Sequence, residues 1–231
     1  MSLVAVFGAL HAVLYFVSFG LWRNWAIYIA SIEGIILGPK AGFLAAVIGS
    51  STARMIRFDP FWMFGIIAEP LSVLVAGLLA RGRWKPAFSA YAIMLSAYFI
   101  HPFGRELPLW TILDVLVALV IIYPTAKLSS SLFGTDLKRL PISLLLVSFV
   151  CTATDALVRI FLLVPGSFHR LFPEFFGSFE KLYMVFVVAA VDSYVEDLTV
   201  VAVSLLAGVP LLFAASKLGL FQEKSRNKKE C

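Results

Sequence analysis

The sequence predicts an all-α, polytopic membrane helical bundle of about six to eight transmembrane helices, and three observations carry that prediction. Apolar side chains make up 61% of the 231 residues and charged ones only 14%, with a mean hydropathy of +0.93, a balance that one water-soluble core does not accommodate. Runs of roughly twenty apolar residues, the length that the ~30 Å hydrocarbon layer asks of a helix, recur from one end of the chain to the other. Those runs lack the apolar–polar alternation of a spanning β-barrel.

In chain order the candidate spans are Leu3–Leu21, Ala26–Leu37, Ala41–Ile56, Phe61–Ala80, Ala87–Phe103, Leu109–Ala126, Ile142–Val164 and Leu182–Leu218. The first run has no basic stretch ahead of it and no small-residue cleavage site, and reads as a retained helix. The next two are short. One helix from Trp25 to Ile56 would reach ~48 Å at 1.5 Å per residue, beyond the bilayer core. Two short helices meeting in a tight turn at Gly38-Pro39 fit better, because glycine ends a helix in a left-handed conformation and proline opens one where its missing donor costs nothing. A single tilted, kinked helix is the alternative.

Phe61–Ala80 stops at the basic break Arg81-Gly-Arg-Trp-Lys85. Ala87–Phe103 closes in His101-Pro-Phe-Gly-Arg105-Glu106, either a gate over a site or a solvated turn. The final run, Leu182–Leu218, would extend ~55 Å, so it projects into water, kinks or folds back. One span with an outer extension or re-entrant start is expected, with Gly208-Val-Pro210 as a kink. Residues 1–218 read as a single integral membrane domain and 219–231 as a basic cytoplasmic tail, expected to be disordered.

The net charge of +5 reads as topology anchoring rather than nucleic-acid binding. With the N-terminus cytoplasmic, about twelve basic residues fall inside and six outside. Both termini are then expected on the cytoplasmic side of the cell membrane.

Ionisable residues inside spans are functional candidates, since each costs at least ~2.5 kcal/mol unless paired or wet. Glu69, Asp114, Asp155, Arg159, Asp192, Glu196 and Asp197 qualify, and in this topology all fall toward the outer half, the distribution of an outward cavity. Asp155 and Arg159 are spaced i, i+4 and form a candidate ion pair. Asp192 and Glu196 share that spacing with like charge, which calls for water, a cation or a raised pKa. Trp22, Trp25, Trp62 and Trp110 fall at outer ends, as interfacial anchors or, for Trp25 first of all, as a stacking surface for a planar heterocycle. An excess of carboxylates points to a cationic cargo, while Arg54, Arg105 and Arg159 leave an anion open. Cys151 and Cys231 have no metal-like or disulfide-like spacing. His11, His101 and His169 are isolated in the sequence, and phosphate-binding P-loop and Gly-x-Ser-x-Gly motifs are missing, so no enzymatic activity, no cofactor and no metal are expected.

One combination is more specific. Ala5-Val-Phe-Gly-Ala9 sets small residues four apart on the first helix, where they allow close helix packing in lipid. It is followed by Ile32-Glu-Gly-Ile-Ile-Leu-Gly38-Pro39-Lys-Ala-Gly42 and then by the basic break after the fourth span. From Ser2 to Lys85 this pattern resembles the substrate-binding S component of energy-coupling factor (ECF) transporters, membrane proteins that capture a vitamin or related micronutrient for uptake driven by a shared transmembrane coupling protein and two ATPases. The resemblance implies that Ala5 and Ala9 meet the coupling protein, that Gly38, Pro39 and Gly42 form a neighbouring cytoplasmic tip, and that the outer cavity residues Trp25, Glu69, Arg105, Asp114, Asp155, Arg159, Asp192 and Glu196 take the cargo. Members of that family usually have six helices, against the eight runs counted here. A stand-alone carrier with Glu69, Asp192 or Glu196 as proton carriers, and an intramembrane enzyme acting on a lipid or isoprenoid, remain the alternatives.

Overall fold

The structure, a computed structural model, describes residues 2–17, 25–134 and 138–218. Trp22 and the tail 219–231 lie outside the described residues. The described chain is helical throughout, in the order α1 (Ser2–Tyr15), α2 (Ala26–Leu37), α3 (Pro39–Ile56), α4 (Trp62–Ala80), α5 (Trp84–Ile100), the short α6 (Pro102–Glu106), α7 (Leu113–Leu128), α8 (Leu140–Leu163), the short α9 (Pro173–Phe176) and α10 (Phe179–Lys217). Among the described residues, four helical stretches are long and apolar enough to cross a membrane: Trp62–Ala80, Leu109–Phe133, Leu140–Leu163 and Phe179–Lys217. Large apolar side chains also cover the outside of the bundle, including Val6, Met55, Ile93, Val120, Leu198 and Leu206. A surface of that kind is stable against lipid and not against water. The first helix spans Ser2–Tyr15, and residues 18–21 of the run expected from hydropathy lie outside the described residues.

The sequence puts a helix break at Gly38-Pro39, and the structure has one. Gly38 holds φ +91°, donates its amide to Gly34 as the cap of α2, and is followed by Pro39 at the start of α3. The Arg81 guanidinium lies over the turn, 2.5 Å from where a Gly38 Cβ would stand, and donates to the Gly77 carbonyl. The glycines on either side serve the same crossing. A Cβ on Gly77 would come within 2.7 Å of the Pro39 backbone, and one on Gly42 within 2.9 Å of Val73. Small residues let backbones touch where lipid offers no competing hydrophobic drive.

Helix α4 and helix α8 form the centre, with α2 and α3 packed on α4, α1 on α3, and α7 and α10 on α8. Helix α2 is only 12 residues long and buried along nearly its whole length. Its polar side chains are met from inside: Ser31 bonds Ser148 of α8 at 2.9 Å and Ser204 of α10 at 3.2 Å. The Gly208–Pro210 stretch does not break α10, which runs through it as one helix of 39 residues, ~58 Å long. Gly208 accommodates neighbours, since a Cβ there would meet Leu144 at 2.7 Å and Ile32 at 3.2 Å.

The bundle has two unlike ends. At one, the α2–α3 turn, the end of α4 and the ends of α7 and α10 are tied by Arg81 to Gly77, Ser129 to the Leu79 carbonyl, Ser143 to the Leu128 carbonyl and Ser216 to the Phe133 carbonyl. Lys40, Arg81, Arg83, Lys85, Lys127, Lys138, Arg139 and Lys217 gather there. The other end joins the starts of α4, α7 and α10 to the end of α8.

Candidate functional site

Two polar assemblies occupy the half of the bundle away from the basic end. The deeper one centres on Glu69, one turn into α4 beyond Gly65. The Arg54 guanidinium, from the last turn of α3, reaches across Gly65 and grips Glu69 with both terminal nitrogens, at 2.6 and 3.1 Å. Gly65 makes this possible, because a Cβ there would collide with that guanidinium. Arg54 also donates to the Ser50 carbonyl and lies 4.8 Å over the Tyr15 ring. His11 of α1 shares the Glu69 Oε2 with Arg54 and bridges two carboxylates, with Nδ1 at 3.1 Å from Glu33 and Nε2 at 3.3 Å from Glu69.

Both nitrogens of a histidine donate only in the imidazolium form. Among the described residues, with His11 in that form, Glu33, Glu69 and Asp155 are matched in charge by Arg54, Arg159 and His11. Such matching is what lets ionised groups stay in a low-dielectric interior. Arg159 completes the set: its Nε donates to Asp155 at 2.7 Å, and Nη2 lies 3.2 Å from Asp155 and 3.7 Å from Glu69.

The i, i+4 pairing of Asp155 with Arg159 is as its spacing predicts. The rest of this assembly was not legible in the sequence. His11, isolated along the chain, has partners 22 and 58 positions away. The available signal was the rule that an ionisable residue in an apolar run has a partner, which applies to His11 and Glu33 as much as to Glu69.

Above this assembly lies a cavity of about 320 Å³ between α4, α7, α8, α9 and α10, within the range of small-molecule sites. Asp114, Arg159, Asp192 and Glu196 line it, so four of the sequence-designated cargo residues meet in one place. Glu69 and Asp155 sit beneath it, joined to its wall through Arg159. Two do not take part: Trp25 lies against Tyr28 with ring centroids 5.0 Å apart, and Arg105 caps α5 by donating to the Phe99 and Ile100 carbonyls.

The cavity adds residues that sequence reading passed over. Asp59 faces it from the α3–α4 connection, and Phe61, Phe64, Phe175, Phe176 and Phe186 form an aromatic wall. Phe61 is the hub of that wall, 5.1 Å from Phe172 and 5.4 Å from Phe175. For Phe175 and Phe176 the available signal was the density of phenylalanines between Phe168 and Phe179. Further in, Thr152 donates to Asp197 at 2.8 Å, and Tyr194 donates to the Trp110 carbonyl, pinning α10 to the start of α7.

Ala5 and Ala9 are exposed on the side of α1 facing away from α3, while Gly8 and His11 of the same helix are buried against it. Gly38 and Gly42 are buried and Pro39 half-buried, so what they contribute to the surface is the shape of the turn.

The fold and site define a class: a helical bundle with membrane-spanning helices, a buried ionic core and an aromatic, acid-rimmed cavity at one end. Comparison with known proteins narrows this little. A protein of Methanocaldococcus jannaschii described as uncharacterized is 27% identical over 131 residues, which are 56% of this chain and 44% of that protein. The chain thus spans less than half the length of that relative. No family model matches the sequence, and no solved structure matches it.

Proposed function

We propose that the chain is the substrate-binding membrane subunit of an ECF-type uptake transporter, capturing a vitamin or related small micronutrient from the outer side of the cell membrane and relying on a separate coupling protein and ATPases. In this reading the chain is multi-pass with both termini cytoplasmic, the basic end of the bundle faces the cytoplasm, and the chain itself performs no catalysis. The observation that carries it is the cavity: about 320 Å³, walled by phenylalanines, rimmed by ionisable groups, and at the end opposite the α2–α3 turn and the Arg81–Lys85 break. The exposed Ala5 and Ala9, near the opposite end of α1, give a small-residue face on which another helix can pack closely.

Co-purification from native membranes tests it. Wild-type chain should bring down a transmembrane partner and ATPases, and Ala9→Leu should lose them while keeping its fold, because Ala9 is exposed. A normal complex in Ala5→Leu and Ala9→Leu, or no complex from wild type, would sink the docking role. The His11–Glu33–Glu69 chain favours a second reading, a stand-alone proton-coupled carrier. That reading requires uptake into proteoliposomes by the purified chain alone, collapsing with the pH gradient.

A further inference from the structure

We propose that the seam between α5 and α7, at the end of the bundle that carries the α2–α3 turn, binds the phosphate headgroup of an anionic phospholipid. The site lies away from the cavity and needs only that the chain spans a membrane, so it stands or falls apart from the uptake reading.

Three cations frame it. Arg83 and Lys85 flank Trp84 at the start of α5, and Lys127 stands in the last turn of α7. Packing brings the two groups together. A Cβ on Gly82 would lie 3.7 Å from the Ala126 carbonyl, the Trp84 and Tyr123 rings meet edge to face with centroids 5.3 Å apart, and Lys127 Nζ is 5.6 Å from the Tyr123 ring centroid. All three cations are exposed, and among the described residues no carboxylate forms an ion pair with any of them. Arg81, half-buried just before them, registers the excess: burial and the charge of Arg83 push its pKa below the ordinary guanidinium value. Cations gathered without a carboxylate among them draw an anion from outside the chain.

The surroundings of the cations select a lipid over a soluble anion. Tryptophan and tyrosine are the residue types that settle at headgroup level. Along α7, Val120, Tyr123 and Lys127 follow one another at helical spacing on one exposed face, apolar first and basic last. On α5, Trp84 meets Phe88 one turn deeper, with ring centroids 6.0 Å apart, and Phe88 is also exposed. Each helix therefore offers an apolar track that ends at a cation, the profile of an acyl chain and its headgroup. A metal ion or a neutral lipid has no use for the cations, and a free anion has none for the tracks.

The test uses the full chain, delipidated in detergent and titrated in native mass spectrometry with phosphatidylglycerol and phosphatidylcholine of the same acyl chains. The first phosphatidylglycerol should bind at least about tenfold more tightly than phosphatidylcholine, and Arg83→Gln, Lys85→Gln and Lys127→Gln should each weaken it by about fivefold, the worth of one cation near an anionic surface. The triple variant should bind the two lipids alike. Lys40→Gln, which removes an equally exposed cation at the same end, should leave the preference unchanged. Equal binding of both lipids by wild type, a preference that survives the triple variant, or one that Lys40→Gln lowers as much as Lys127→Gln does, would overturn the site. An excess of ammonium phosphate separates the two sources of the headgroup chemistry: phosphatidylglycerol that stays bound supports the lipid, and phosphatidylglycerol displaced by free phosphate overturns the lipid assignment.

Discussion

Replacing Glu69 by glutamine keeps the shape of the side chain and removes its charge. In the folded protein that leaves the Arg54 guanidinium, whose side chain is 4% exposed, with the Ser50 carbonyl at 3.2 Å and a neutral amide in place of a two-pronged carboxylate. It also deprives His11 of one of its two acceptors. Breaking one side of a buried ion pair costs about 3–5 kcal/mol, because the remaining charge is stranded away from water. In a chain of this size each kcal/mol moves the melting temperature by about 2–4 °C, so Glu69→Gln should lower Tm by about 6–20 °C, read by intrinsic tryptophan fluorescence of the detergent-solubilised chain. Adding Arg54→Met removes the stranded charge and should recover at least about half of the loss. A Tm within about 2 °C of wild type for the single variant, or a double variant that adds further loss, would refute the claim that Glu69 is the hub of a matched buried cluster.

Other outcomes follow from the same geometry. Gly65→Ala puts a methyl group where the Arg54 guanidinium lies, and should destabilise the chain by about as much as Glu69→Gln without touching a charged residue, seen in the same melt. Gly77→Ala sets a Cβ 2.7 Å from the Pro39 backbone and, as backbone cannot step aside, should cost about 1–3 kcal/mol. At the α5–α6 corner, the Phe103 amide donates to Nδ1 of His101, whose pKa is pushed below 6.5 by burial and by the charges of His169 and Arg170. A base with a depressed folded pKa is protonated first in the opened state, so this corner should lose protection as pH falls below about 6.5, down to the folded pKa. Hydrogen exchange of the α6 segment at pH 7.5 and 5.5 reads the change, and His101→Asn, a cap that does not titrate, should abolish it.

How much of this was legible in the chain depended on whether the signal was local. The Gly38-Pro39 turn, the basic break after Ala80 and the Asp155–Arg159 pair each rest on residues within four positions of one another, and each is in the structure. The gathering of Asp114, Asp192 and Glu196 at one end followed from counting helices. What the sequence withheld was contact between distant segments: His11 with Glu33 and Glu69, Arg54 across Gly65, and the aromatic wall assembled from Phe61, Phe64, Phe175, Phe176 and Phe186. At Pro210 the ring removes one hydrogen bond, and α10 nevertheless continues through it, while Gly208 beside it packs against Leu144 and Ile32.

The most direct test of the central claim is native mass spectrometry of the chain extracted gently from its own membranes, beside the Ala189→Trp variant, which fills the cavity. The account predicts a vitamin-sized molecule retained by wild type and absent from the variant. A lipid or isoprenoid as the retained mass, or a bare chain in both, would contradict it.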